Sequence, residues 1–158
     1  MTDILFKNLA LLDADEGAVK PGYEVLVKGE RIAEVRNGPI EAPGAETFDL
    51  EGRTLMPGLI DCHGHILMRS KRGPGPKGAP RMLPSLADAH AGDLLRGILM
   101  RGFTTFRDAA GADLGHKQAV EAGLFVGPRL FVCGRSISQT GGHGDSRAQA
   151  DLNELCGC

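Results

Sequence analysis

The segment Met56–His65 constrains the fold most tightly, because it combines a turn signal, a short apolar run and two closely spaced histidines. Pro57-Gly58 is typical of a turn, and the apolar residues that follow are typical of a buried strand. On a strand, alternate side chains share one face. We therefore predict that Asp61, His63 and His65 point to the same side of a sheet, with both imidazoles at the C-terminal end of the strand.

His63 and His65 are candidate ligands for one divalent metal ion. Zinc accepts imidazole nitrogens at about 2.0–2.1 Å, and two histidines separated by one residue on a strand reach the same ion. Gly64 between them leaves room for the backbone to pass close to a metal ion or a substrate. Taken alone, the pair is also typical of solvated or structural histidines, so its sequence context decides the interpretation.

Two later segments, Gly102–Asp108 and Gly127–Asp145, supply that context. With Pro57–His65 they resemble, in the same order, the first three strands and loops of the amidohydrolase superfamily, metal-dependent hydrolases built on a (β/α)8 barrel. The resemblance runs almost from end to end. It is strongest to the branch of prolidase-like (Xaa-Pro dipeptidase-like) and related carboxypeptidase-type enzymes, near the imidazolonepropionases.

The resemblance implies roles for individual residues. His63 and His65 would bind zinc, as one ion or a pair, which lowers the pKa of bound water to about 7. Asp61 and Asp108 are candidates to accept a hydrogen bond from a ligand histidine and fix its tautomer. For Asp108, an ion pair with a neighbouring arginine or a helix N-cap is an equal alternative. His143, in a glycine-rich loop, is expected to orient the substrate or polarise its carbonyl group.

Chain length limits how much of a barrel is present. A complete (β/α)8 barrel takes about 250 residues, whereas this chain has 158. We expect residues 1–56 to form a small antiparallel β-sheet, half of a β-sandwich in the resembling family. Residues 57–158 then hold about three βα units. The predicted fold class is α/β, the N-terminal part of a (β/α)8 barrel preceded by that sheet.

Periodicity and turn residues predict the individual elements. In residues 1–56 we expect strands at 3–12, 23–28, 31–36, 47–50 and 53–55. We expect a polar turn region at 13–22 and a type II′ hairpin at Gly29-Glu30. The last two strands are expected to pair across Glu51-Gly52. Beyond the His-x-His strand we expect helices at 85–101 and 114–122 and strands at 103–106 and 129–133. This order favours a parallel sheet with right-handed crossovers.

The charge pattern argues against nucleic-acid and membrane partners. The formal net charge is −2, and the lysines and arginines are scattered along the chain rather than clustered into a basic surface. The first residues contain an early acid and too short an apolar run for a signal peptide. No window approaches the ~18 apolar residues of a membrane-spanning helix. We therefore expect a cytoplasmic protein.

The family resemblance implies hydrolysis of an amide-like C–N bond, in a dipeptide or an N-acyl amino acid, by metal-activated water. The family's bridging lysine, further histidines and proton-shuttling aspartate would all lie beyond Cys158. We therefore expect no catalytic base within this chain, no activity of the chain alone and weak zinc binding. Alternatives are an imidazolonepropionase-like or other cyclic-amide hydrolase, and a truncated, non-catalytic metal-binding fragment. An incomplete barrel leaves unpaired strand edges, so a homo-oligomer or a complementing C-terminal segment is also expected.

Overall fold

The chain consists of two compact units, Met1–Pro57 and Gly58–Cys158. A computed structural model describes residues 2–67, 83–140 and 142. His143, with its predicted role toward the substrate, lies outside these described residues. No helix within the described ranges is long and apolar enough to cross a membrane.

The first unit is a five-stranded sheet. Its strands are β1 (Ile4–Asp13), β2 (Ala18–Lys28), β3 (Arg31–Asn37), β4 (Glu46–Asp49) and β5 (Thr54–Leu55). The order is β3-β2-β1-β4, and β5 also pairs with β1. Alternating apolar residues of β1 and β2 bring Leu5 and Leu26 into a small core with Ile40, as the period-2 pattern predicts.

The predicted pairing of β4 with β5 is wrong. Both strands run parallel to β1, β4 along Ile4–Lys7 and β5 along Ala10-Leu11. The physical reason is an irregularity in β1 at Asn8, whose φ of 53° breaks the strand locally. The Asn8 carbonyl accepts a hydrogen bond from the Gly52 amide at 2.7 Å, so the turn between β4 and β5 is held against β1. The sheet is therefore mixed rather than wholly antiparallel.

The predicted turn region at 13–22 is also too long. Strand β2 begins at Ala18, so Pro21 lies inside the strand, opposite Ala10 and next to a register shift in β1. The actual turn is short and is stabilised by Asp13. Its carboxylate accepts hydrogen bonds from two turn amides and lies 2.7 Å from the Lys20 ammonium. The hydrogen bond from Lys20, reinforced by those amides, lowers the pKa of Asp13.

The second unit has the predicted alternation of strands and helices. Its elements are β6 (Leu59–Gly64), α1 (Pro84–Met100), β7 (Phe103–Asp108), α2 (Leu114–Glu121) and β8 (Arg129–Phe131). The three strands form a parallel sheet in the order β6-β7-β8. Both helices lie within one or two residues of their predicted bounds, whereas β8 is shorter than predicted. The carboxyl ends of the strands, where βα loops begin, thus share one edge of the sheet.

Helix α1 covers this sheet through one apolar face. Its buried residues Ala91, Leu95 and Ile98 recur at helical spacing. They form one core with residues of the sheet and its loops, namely Ile66, Phe106, Ala112 and Leu130. Ile66 and Ala112 both lie in loops that follow strand ends. The same core that stabilises the sheet therefore also anchors the loops at its carboxyl edge.

Helix α2 starts with a capping interaction that links it to α1. Asp113 is the N-cap, and its Oδ1 accepts a hydrogen bond from the His116 amide at 3.3 Å. The His116 ring lies between two carboxylates, with Nδ1 2.8 Å from Asp113 and Nε2 3.2 Å from Asp88 of α1. The hydrogen bond from the His116 ring, followed by that from its amide, lowers the pKa of Asp113.

We predict that the contribution of Asp113 to stability is lost in acid. Its pKa is lower in the folded chain than its ordinary 3.8. The stabilisation by the Asp113 carboxylate is therefore complete above the ordinary pKa of 3.8. It is lost as the pH falls through the lower, folded-state pKa. Replacing the N-cap, Asp113→Ala, should lower the free energy of unfolding by about 0.5–2 kcal/mol near pH 5. Urea unfolding between pH 5 and pH 2.5 should show this difference shrinking.

Asp113→Ser is the matched control for this prediction, because serine keeps an N-cap acceptor without the titrating charge. The Ser and Ala variants should differ by the same amount at every pH in that range. If the difference in the free energy of unfolding between the wild type and Asp113→Ala stays constant down to pH 2.5, the stabilising role of the Asp113 charge is contradicted.

Candidate functional site

The two predicted ligand histidines meet at the end of β6. The centroids of the His63 and His65 rings are 5.3 Å apart, and the rings stand edge to face at 88°. The His63 side chain is exposed and His65 is half-buried. The sequence prediction that both imidazoles lie together at the carboxyl edge of the sheet is therefore matched by the geometry.

Gly64 is required by packing against the neighbouring strand. A Cβ added at Gly64 would lie 2.2 Å from the Phe106 Cζ atom, far inside van der Waals contact. Phe106 is buried in the core beneath α1, so its ring has little freedom to move. The sequence suggested that this glycine made room for a metal ion or substrate. The structure shows that it makes room for an aromatic ring of β7.

The orientation of the His65 ring is set by a backbone carbonyl group. Its Nδ1 atom lies 3.2 Å from the carbonyl oxygen of Ala110, in the loop after β7. A carbonyl oxygen only accepts hydrogen bonds, so this contact requires the proton to be on Nδ1. The lone pair of the neutral imidazole is then on Nε2, the nitrogen left to bind a ligand.

Asp61 contacts the backbone beside a predicted ligand histidine. Its Oδ1 accepts a hydrogen bond from the His63 backbone amide at 3.0 Å, a local turn contact of the kind that aspartate often makes. Its side chain thus fixes the backbone at His63, while the His63 ring remains exposed.

Asp108 is fully buried and holds backbone amides. Its Oδ2 accepts from the Ile66 amide at 2.7 Å, and its Oδ1 accepts from Ala110 and Ala112 at 3.0 and 3.1 Å. Within the described residues its carboxylate forms neither an ion pair with an arginine nor a hydrogen bond to an imidazole. It is not the N-cap of α2 either, since Asp113 has that position. Its hydrogen bonds to the described residues are therefore all to backbone amides, and support of a ligand histidine stays a prediction.

Sequence reasoning missed two contacts that shape this edge. Ala110 acts through its carbonyl oxygen, so its side-chain type gives no signal. Arg107 Nη1 donates a hydrogen bond to the Cys62 carbonyl at 3.2 Å and ties β7 to β6 beside the histidines. The only sequence signal was the position of Arg107-Asp108 at the end of a predicted strand.

The described residues at this edge include two neighbouring imidazoles whose chemistry suits a metal ion. His63 and His65 fit the donor chemistry of a divalent transition metal, because they present neighbouring imidazoles and His65 has a defined free nitrogen. No cluster of three or more histidine, cysteine, aspartate or glutamate side chains able to hold a metal occurs in ranges 2–67 and 83–140. A catalytic zinc usually has three protein ligands. Further ligands would have to come from outside these ranges.

Comparison with known proteins places this edge in a family. Residues 54–155, which include both histidines, match the amidohydrolase family. The chain belongs to this family. Among curated relatives of the amidohydrolase chain, imidazolonepropionase of Klebsiella pneumoniae (strain 342) is 51% identical over 76 residues, which cover 44% of this chain and 18% of the relative. Ochratoxinase of Aspergillus niger is 36% identical over 94 residues, or 58% of this chain and 19% of the enzyme.

Solved structures agree with the fold. A prolidase complexed with N-methylphosphonate-L-proline is similar to this amidohydrolase chain with a TM-score of 0.83 and 40% sequence identity. The similarity covers 99% of this chain but 38% of the prolidase chain. The predicted fold class, the first part of a (β/α)8 barrel after a small sheet, is thereby confirmed. The pairing of β4 and β5 in that sheet is the exception noted above.

We predict that Gly64→Ala disrupts the histidine edge. The added methyl group overlaps the buried Phe106 ring, so the free energy of unfolding should fall by about 1–3 kcal/mol. Chemical denaturation measured by circular dichroism tests this expectation.

The same substitution at Gly97, in the middle of α1, is the matched control. There the nearest side-chain atoms are those of the Arg101 guanidinium, beginning at 3.4 Å, and alanine favours a helix by about 0.5–1 kcal/mol over glycine. Gly97→Ala should therefore be neutral or stabilising. Equal losses in both variants would show that the contact with Phe106 does not explain Gly64.

Proposed function

We propose that this chain is part of a metal-dependent hydrolase that cleaves amide-like C–N bonds, in a dipeptide or an N-acyl amino acid. The observation that carries the proposal is the pair His63 and His65 at the carboxyl edge of a parallel sheet, in a chain of the amidohydrolase family. The 40% identity to a prolidase complexed with a proline-containing phosphonate supports a dipeptide-like substrate. Active sites of (β/α)8 enzymes lie at this edge of the barrel.

In this proposal His63 and His65 hold a divalent metal ion, with zinc as the expected ion. The ion would supply the activation of water for attack on the substrate carbonyl group. His65 presents Nε2 because its Nδ1 proton faces Ala110, and Asp61 fixes the backbone from which His63 projects. His143 remains our prediction for a residue that orients the substrate.

The second candidate is an imidazolonepropionase-like hydrolase acting on a cyclic amide. The observation that favours it is the 51% identity to a bacterial imidazolonepropionase. That match covers 44% of this chain, whereas the prolidase structure matches 99%. We therefore favour the dipeptide-like substrate.

We predict weak zinc binding that depends on both histidines. Equilibrium dialysis of the purified chain against Zn²⁺ should show one weak site. His63→Ala and His65→Ala should each weaken it about ten-fold or more, because one of two imidazole ligands is lost.

His90→Ala is the control for metal binding, because His90 belongs to α1 and not to the His-x-His segment at the end of β6. Its zinc affinity should equal that of the wild type. Binding that survives the loss of both His63 and His65 would contradict the metal site.

The two substrate classes can be separated on the natural protein that contains this sequence. We expect it to hydrolyse dipeptides with a C-terminal proline faster than an imidazolone carboxylic acid, as measured by kcat/KM. The isolated chain of 158 residues should hydrolyse neither above the rate of free zinc. The opposite substrate preference would favour the second candidate, and activity of the isolated chain would contradict the view that its site is partial.

A further inference from the structure

Among residues 2–67 and 83–140, no positively charged side chain pairs with the buried Asp108 carboxylate. Asp108 is 0% exposed, and burial of an unpaired charge is strongly unfavourable unless hydrogen bonds replace the lost water. Three backbone amides, those of Ile66, Ala110 and Ala112, point at its two oxygens at 2.7–3.1 Å. Such an arrangement requires a loop that is formed around the carboxylate.

These amides come from the two segments that flank the His65 ring. Ile66 directly follows His65 in the chain, and Ala110 contributes the carbonyl oxygen that meets the His65 Nδ1 atom. Asp108 therefore holds the backbone next to the histidine with one oxygen. With the other oxygen it holds the Ala110 and Ala112 amides, which lie on either side of the carbonyl group that contacts the ring. The Ala109 amide also donates a hydrogen bond to the Gly64 carbonyl at 2.9 Å. This bond is a further link between the end of β6 and the loop after β7.

The far side of this loop is fixed as well. Gly111, with a φ of 115°, reverses the chain, and its amide donates to the Gly134 carbonyl at 2.8 Å. The Gly134 amide donates in return to the Ala112 carbonyl at 3.0 Å. The loop after β7 is thus hydrogen-bonded to the ends of both β6 and β8, and the Ala110 carbonyl has a defined direction.

We propose that Asp108 is a positioning residue that sets the tautomer and the orientation of His65 without touching the imidazole. It does so by fixing the loop backbone on both sides of the Ala110 carbonyl group. The effect on metal binding rests on the proposed function above. The effect on the tautomer does not, because it concerns the protein without metal.

The first test needs no variant. In the isotope-labelled chain, scalar couplings across hydrogen bonds should connect the Ile66 amide nitrogen to the Asp108 carboxyl carbon, and the His65 Nδ1 atom to the Ala110 carbonyl carbon. The ¹⁵N shifts of the ring should show a protonated Nδ1 and a bare Nε2. A ring with the proton on Nε2 would overturn the proposal.

The second test uses Asp108→Asn. An asparagine side chain has one acceptor oxygen in place of two and adds donor protons, so it cannot accept all three amides. We expect the His65 ring to lose its single tautomer and to shift toward the Nε2–H form that free imidazoles favour. Zn²⁺ affinity should fall about 10–100-fold, the usual effect of losing support for a ligand histidine.

Asp113→Ala controls for stability, because Asp113 caps α2 and holds no part of this loop. It should unfold more easily while the His65 tautomer and zinc affinity stay those of the wild type. If Asp108→Asn keeps the Nδ1–H tautomer, or if Asp113→Ala changes it equally, the proposal is overturned.

If Asp108→Asn does not fold, Ala110→Pro is the variant in which the His65 tautomer is measured instead. It removes one amide donor to Asp108 but leaves the carboxylate and its bond to Ile66. A change of His65 tautomer in this variant supports the role of the hydrogen bond from the Ala110 amide to Asp108, and an unchanged tautomer opposes it. A wild-type chain that binds no zinc but shows the expected tautomer and couplings would refute the proposed metal site while leaving the role of Asp108 intact.

Discussion

The hydrogen bonds of the buried Asp108 carboxylate join the end of β6 to the loop after β7, and the geometry of the histidine edge depends on them. A parallel sheet aligns its strands but does not by itself order the loops at its carboxyl edge. Here one carboxylate accepts hydrogen bonds from three amides in two segments, and the Ile66 donor lies 42 residues from Asp108 in the sequence. Breaking such a set is costly, because each released donor or acceptor would be left in the core without a partner.

Packing and positioning depend on the same residues in the second unit. The backbone amides of Ile66 and Ala112 donate hydrogen bonds to Asp108, and the side chains of both residues lie in the core under α1. Phe106, also in that core, occupies the space that a side chain at position 64 would need. The core under α1 therefore also limits what position 64, between the two imidazoles, can hold.

Period-2 and helical patterns were enough to predict the order of strands and helices and the placement of His63 and His65. Such patterns report which residues face a core, and the core decides those elements. They do not report backbone donors and acceptors. Main-chain geometry determines the partners of Asp108 and the contact of the Ala110 carbonyl with His65. It also determines how β4 and β5 attach to β1 at Asn8. Residue types alone therefore gave wrong or incomplete interpretations of these features. The packing of Gly64 against Phe106 was missed for a related reason, because it depends on a neighbour 42 positions away in sequence.

The contact between His65 and the Ala110 carbonyl has a consequence for how this edge can vary between relatives. A carbonyl oxygen belongs to every amino acid, so many side chains at position 110 could preserve the contact provided that the loop keeps its path. The carboxylate at position 108 has no such substitute. A substitution scan would then mark position 108 as intolerant and largely pass over position 110, although it is residue 110 that touches the ring.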